Sequence, residues 1–453
     1  MTSTAKKKNT LNMLTDAPGK ALFFFSLPII FGNLFQQLYN MVDGIVVARF
    51  VSENALAAVG TTTSLTNVFI AIAIGGGIGS SVVISQYLGA RQLDSMKKAI
   101  TTTLINFVVL SIVMAAFGLI FCDQILTALN TPDNVFSDAR TYLSIYFWGL
   151  PFLFLYNALS SIFNALGDSK TPLKLLIFSS VLNVFLDLLF VIAFHMAVAG
   201  VAIATLIAQG LSAIVSFAIM VRRLKSYETT PGLKLYEGRL SLRIIKIAIP
   251  SIIQQTIVNL GMLLVQSVVN SFGSQIMAGY AAGSRFEGIC VIPMVAVGNA
   301  VSTFTAQNTG AGQTDRVKKG YYASYRLVIA IAVIICLILE LFGNVLITAF
   351  LDANSSALAF STGVAYLKFL GFFYVLIGFK CSVDGVLRGS GDTIVFTLAN
   401  LVNLGIRVLV AYTLAPVVGV AAVWYAVPIG WLSNYLISFV WYLTGKWSKN
   451  RAI

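Results

Sequence analysis

Apolar runs of about 20 residues, separated by short polar connections, follow one another along nearly the whole chain, and a run of that length crosses a hydrocarbon core of about 30 Å as a helix. The pattern predicts twelve spans, at 20–47, 55–86, 98–121, 139–162, 172–194, 199–223, 243–271, 276–307, 321–345, 358–386, 393–414 and 417–445. The strings DAPGK, TPD, GDSKTP, TTPGLKLYEG and GAGQTD place Gly, Pro and Asp between runs, where turns need them. A membrane β-barrel would show short alternating segments instead. The expectation is an all-α polytopic membrane protein.

Composition agrees: 58% of the 453 residues are hydrophobic and 10% charged, too little charge to cover a soluble chain of this size. The formal charge of +13 invites a nucleic-acid partner, but the positions of the bases argue for a lipid bilayer. Lys6, Lys7, Lys8, Arg91, Lys97, Lys98, Lys170, Arg222, Arg223, Lys225, Arg316, Lys318, Lys319, Arg388 and Lys446 fall in the N-terminal tail, after even-numbered spans, or in the C-terminal tail. The connections after odd-numbered spans hold little beyond Arg49 and Arg140. This bias puts both termini in the cytoplasm of a cell-membrane protein, which requires an even number of spans. The polar start MTSTAKKKNTLNMLTDAPGK has no cleavable signal pattern, so the first span is expected to remain a membrane helix. Cys122, Cys290, Cys336 and Cys381 lie in or beside apolar runs without paired spacing, as small core residues do.

The chain repeats itself. FSLPIIFGN matches IAIPSIIQQ, setting Pro28 against Pro250 and Phe50 against Phe272; QYLGA (86–90) matches QNTGA (307–311) and NALGD (164–168) matches RGSGD (388–392). Asn183 matches Asn403, and AGVAIA (199–204) matches VGVAAV (418–423). Six spans separate corresponding points, so the halves run in the same direction and are related by an axis along the membrane normal. The predicted organisation is a tail at 1–19, an N-lobe at 20–223, a cytoplasmic linker at 224–242, a C-lobe at 243–445 and a tail at 446–453. Two similar bundles facing each other across a cavity suit a transporter.

These residues carry a resemblance. FSLPIIFGNLFQQLYNMVDGIVVARFVSENALAAVG, NALGDSKTP, LNVFLDLLFV, AAGSRFEGICVIPMVAVGNAVSTFTAQNTGAG and LRGSGDT stand in an order, spacing and duplication similar to those of the multidrug and toxic compound extrusion (MATE) transporters. The resemblance covers essentially the full chain. It implies two pseudo-symmetric six-helix lobes forming a V around a central cleft, and export of amphipathic, often cationic drugs or toxic metabolites driven by inward H⁺ or Na⁺. No cofactor is implied beyond that coupling ion, and no metal beyond Na⁺; the working unit is expected to be a monomer.

Candidate chemistry begins with acids inside spans. A charge near the bilayer centre costs about 2.5–3.5 kcal/mol even on the lenient insertion scale, so such residues face the bundle interior. Asp43 falls late in span 1 and Asp187 within span 5, with Asn183 one helical turn before it. No Lys or Arg lies deep in spans 1–6. Burial without a fixed counter-ion disfavours the charged carboxylate and so favours proton uptake. Thr205, with Asn157 or Asn164, can complete an oxygen-rich site. In the resembling family an N-lobe acid pair binds the coupling ion, and the match falls on Asp43, Asn183, Asp187 and Thr205, more loosely on the span-4 asparagines. The competing reading is that the acids staple helices through hydrogen bonds.

In the second half, Lys380 and Asp384 stand at i and i+4, Arg407 takes the repeat position of Asp187, and Arg285 and Glu287 flank span 8. These opposite charges can neutralise one another. Gln36, Tyr39, Gln255, Met262, Glu287 and Met294 are candidate cavity-lining residues, since aromatic and thioether groups suit flat cations. GGGIG (75–79) lacks the Lys and Ser/Thr of a phosphate loop and reads as a helix-packing or bending element; the Asp of GSGD (389–392) reads as a cap for span 11, and His195 as a surface residue. A flippase for a lipid-linked sugar precursor would want unpaired bases in the cavity. A membrane-embedded enzyme would need a catalytic cluster, and none is apparent. A channel would leave the paired lobes unexplained.

Overall fold

The computed structural model describes residues 12–51, 53–351, 355–449 and 453, with backbone alone for Asp43, 47–49, 53–56 and Asn259. The first half consists of α1 (Pro18–Phe50), α2 (Glu53–Gly89), α3 (Leu93–Ile120), the short α4 (Cys122–Ala128), α5 (Asp133–Ala165), α6 (Lys170–Leu188) and α7 (Ala197–Lys225). The second consists of α8 (Gly238–Asn270), α9 (Ser274–Gly310), α10 (Thr314–Thr348), α11 (Ala357–Gly371), α12 (Tyr374–Ser390), α13 (Thr393–Val418) and α14 (Ala421–Leu443).

Eleven of these helices are long and apolar enough to span a membrane, and α11 with α12, bent by 52° at a two-residue break, makes the twelfth. The chain is an all-helical, multi-pass membrane protein of two six-span lobes. Two details depart from the expected runs: span 10 is broken, and span 5 changes from α-helix to π-helix over Leu189–Ala193.

Turn chemistry ends corresponding helices in the same way. After α5, Gly167 takes φ +80° and Asp168 N donates back to Phe163 O at 2.9 Å; after α12, Gly391 takes φ +97° and Asp392 N donates to Leu387 O at 2.9 Å. A left-handed residue just past a helix favours glycine, which has no Cβ to clash. The two aspartates then diverge. Asp168 caps α6 through Thr171 N at 3.0 Å and pairs with Arg223 at 2.6 Å. Asp392 makes no side-chain cap to α13, contrary to the sequence expectation, and accepts from Trp441 Nε1 at 2.6 Å.

The lobes are not closed units. α1 packs on α6 of its own half and on α9 and α10 of the other; α8 packs on α13 of its own half and on α2 and α3. Accordingly Ala21, Leu22 and Phe25 are buried in the C-lobe core, while Leu240, Ile244 and Ile247 are buried in the N-lobe core. Each lobe encloses the opening turns of the other lobe's first helix. GGGIG allows this, because a Cβ on Gly75 would lie 2.8 Å from the Ile252 backbone and one on Gly79 2.7 Å from Ala248 N. Those two glycines let α2 and α8 meet backbone to backbone.

Candidate functional site

α6 is turned inside out relative to a soluble helix. Asn183 and Asp187, four residues apart, are 2% and 0% exposed, while Phe185 between them is 61% exposed. In a bilayer this is the stable arrangement, since lipid solvates the aromatic ring and the polar face needs protein partners. Asn183 provides the junction. Its surroundings fix the amide orientation: the nitrogen donates to Asp187 Oδ2 at 3.0 Å and to Tyr39 OH at 2.7 Å, and the oxygen accepts from Thr205 N at 3.0 Å. Three helices, α1, α6 and α7, are thereby tied at one buried carboxylate. The π segment follows Asp187 by two residues; such wide turns are frequent at functional sites because they shift the register of the side chains beyond them. A narrow cavity lined by Tyr142, Tyr146, Gly149, Ala202, Thr205 and Gln209 runs beside this group between α5 and α7.

The other sequence candidates sort as follows. Asp43 follows Tyr39 by four residues on α1, and its side chain lies outside the described residues. Tyr39, expected in the drug cavity, instead bonds the Asn183 amide. Asn157 spends its amide on Leu153 O of its own helix at 2.8 Å. Asn164 sits at the end of α5, next to the start of α6, whereas Asp187 lies seventeen residues along α6, about 25 Å away at about 1.5 Å per residue. Asn164 therefore lies away from the Asp187 group. Gln36 donates to Asn40 Oδ1 at 3.1 Å, Gln255 is half-buried on α8, and Met262 is exposed. Met294, expected to line the cavity, is wholly buried in the C-lobe core beside Gly378.

The C-lobe carries a different arrangement. Asp384 accepts from Ser438 Oγ at 2.9 Å through Oδ1, and through Oδ2 meets Lys380 Nζ at 3.3 Å and Asn400 Nδ2 at 3.2 Å. The expected i,i+4 pair is present, and both carboxylate oxygens are occupied. Arg285 and Glu287 do not form the expected opposed pair. They lie two residues apart inside α9, on different faces; Arg285 stacks over the Phe350 ring at 5.5 Å, and Glu287 accepts from Tyr366 OH. Among the described residues, the N-lobe ion pairs Arg140–Asp123 and Arg223–Asp168 sit at helix ends, away from Asp187. Sequence reading missed Asn400 and Ser438, whose roles depend on how α13 and α14 are rotated.

Comparison with known proteins bears on the chain as a whole. The MatE family model matches residues 28–189 and 250–413, once in each lobe. The probable multidrug resistance protein YpnP of Bacillus subtilis is 30% identical over 429 residues, covering 94% of this chain and 95% of that protein. A FAD transporter of Shewanella oneidensis is 24% identical over 375 residues, covering 82% of this chain and 80% of its own. A solved outward-facing multidrug resistance MATE transporter superposes with a TM-score of 0.89 at 22% identity, covering 97% of this chain and 98% of that one. With the family model matching both lobes and a relative aligned along nearly all of both chains, this membrane protein belongs to the MATE family of transporters.

Proposed function

We propose that the protein exports amphipathic cations from the cell in exchange for inward-moving H⁺ or Na⁺, as a monomer with both termini and the 224–242 linker in the cytoplasm. The observation that carries the exchange is Asp187: a carboxylate at 0% exposure, held through Asn183 to α1 and α7. Protonation or Na⁺ binding removes its net charge and lowers the cost of a drier environment. An ion shifts a two-state equilibrium only by its differential affinity, so the helices around Asp187 must hold the ion more tightly in one state than in the other. Pro28, which removes a backbone donor within α1, marks where that helix can bend as the site is filled. The flippase reading asks for unpaired bases. Lys380 and Lys368 of the C-lobe are engaged by Asp384 at 3.3 Å and Glu340 at 3.6 Å, whereas Arg407 Nε is buried without a hydrogen-bond partner. The comparison of cation with anion export therefore also separates the two readings.

The relative named for FAD, an anionic dinucleotide, makes substrate charge the property to measure. Ethidium efflux from vesicles, with pH and Na⁺ gradients imposed separately, is expected to follow one of the two and to stop when that gradient collapses. An anion of similar size is expected to leave at least tenfold more slowly. Efflux under neither gradient, or of anions alone, overturns the reading.

Topology has its own test. Ser226 is exposed just past α7. Ser226→Cys is expected to resist an impermeant maleimide in intact cells and to label after permeabilisation. Ready labelling from outside overturns the cytoplasmic linker.

A further inference from the structure

The end of the molecule where α2 and α9 finish is built from the repeat-related strings QYLGA and QNTGA. The helices cross there so closely that a Cβ on Gly89 would lie 1.9 Å from Gln307 O, and one on Gly310 2.0 Å from Gln86 O. The contact is reciprocal: each glycine receives the backbone of the other lobe's glutamine.

The glutamine side chains continue across the crossing. Gln86 Nε2 donates to Gly389 O at 3.0 Å and to Ser390 O at 3.1 Å, at the end of α12. Gln307 Nε2 donates to Ala165 O at 2.8 Å, at the end of α5. Both side chains are buried, at 0% and 4% exposure. Their acceptors are helix-terminal carbonyls. Because Gly167 N and Asp168 N fold back to Asn164 O and Phe163 O, the return turn leaves Ala165 O to other donors. Gly391 N and Asp392 N fold back to Arg388 O and Leu387 O, leaving Gly389 and Ser390 in the same position. Ser85 Oγ supplies Ala165 O with a donor from its own lobe at 3.1 Å, and Gln307 supplies one from the other. Parting the lobes here strips two buried amides of their acceptors, a loss that must be made good elsewhere.

We propose that Gln86 and Gln307 are paired positioning residues that hold the lobes shut at this end, and that opening it during transport requires both amides to withdraw. That this end faces the cytoplasm rests on the topology proposed above; the closure itself does not.

The test reads distance, so it needs neither a known drug nor a known sidedness. Gln92 and Gln313 are exposed and precede α3 and α10 on opposite sides of the crossing. Spin labels at Gln92→Cys and Gln313→Cys, in nanodisc protein whose four native cysteines are replaced by alanine, report the separation by pulsed EPR. The parent is expected to show a dominant short distance. Gln86→Ala with Gln307→Ala is expected to lower the ratio of short to long populations at least tenfold. Gln86→Glu with Gln307→Glu, which aims carboxylates at carbonyl oxygens, is expected to lower it at least as far and serves if the alanine pair does not fold. A ratio within twofold of the parent in the variants that fold overturns the assignment. General destabilisation would lower the yield of monodisperse protein without moving this ratio.

Discussion

Asp187→Asn is expected to insert at the wild-type level and to lose gradient-driven efflux. The change preserves size and one acceptor oxygen, so the Asn183 amide keeps a partner where it now meets Oδ2 at 3.0 Å. A neutral amide is also less costly to bury than a carboxylate, so folding is expected to hold. What disappears, on the proposed mechanism, is a group whose charge changes when an ion arrives. With no charge change, ion binding no longer distinguishes the two states, and the gradient cannot do work on the lobes. Efflux is expected to fall by roughly a hundredfold, near the upper end of coupling between two sites, while equilibrium binding of ethidium persists. Asp43→Asn is expected to act in the same direction. Vesicles carrying matched amounts of each variant make the measurement, and pumping by Asp187→Asn at the wild-type rate would leave Asp187 as a staple between helices.

The second large effect concerns stability. Asp384→Ala removes the carboxylate that Lys380, Asn400 and Ser438 share. Asn400 retains Phe396 O at 2.8 Å and Ser438 retains Asn434 Oδ1 at 3.4 Å, but Lys380, 15% exposed, is left as a charge without its counter-ion. Removing one partner of a buried pair costs about 3–5 kcal/mol, whereas replacing both by apolar groups is often neutral. Heating detergent-solubilised protein and measuring the monodisperse fraction is expected to show a large loss for Asp384→Ala. Lys380→Met with Asp384→Leu is expected to restore most of it. A single variant that melts with the wild type would mean the pair carries little.

Why the candidate cavity-lining residues are the least legible part of the sequence follows from Met262 and Met294. Both lie in long apolar runs, yet Met262 is 56% exposed and Met294 0%. Hydropathy reports whether a residue lies within the membrane, not which way it points. Lipid is as apolar as the protein core, so a spanning helix need not carry the polar stripe that reveals orientation in soluble proteins. Polar residues escape this limit, because each must find a partner. That is why Asn183, Asp187 and Thr205 fall together as their sequence suggested, and why Lys380 meets Asp384. The limit returns where register matters: Asn164 sits at the end of α5, far in height from Asp187. The break before Tyr374 escapes notice for a related reason, since LGFFY is as hydrophobic as the spans beside it and contains no proline.

The exchange of first helices has a consequence for synthesis. Phe25 leaves the ribosome early, but the core it belongs to in the folded protein includes Phe304, Val317 and Tyr321, which at about 5–20 residues per second follow it by roughly 15–60 s. Until α9 and α10 arrive, the start of α1 is a membrane segment with no native seat, and the N-lobe core lacks Leu240, Ile244 and Ile247. A translational pause after the first six spans would therefore lengthen the life of an incomplete half-protein that still displays the bare glycines of α2, and such a half is a natural client for membrane insertases and quality-control proteases.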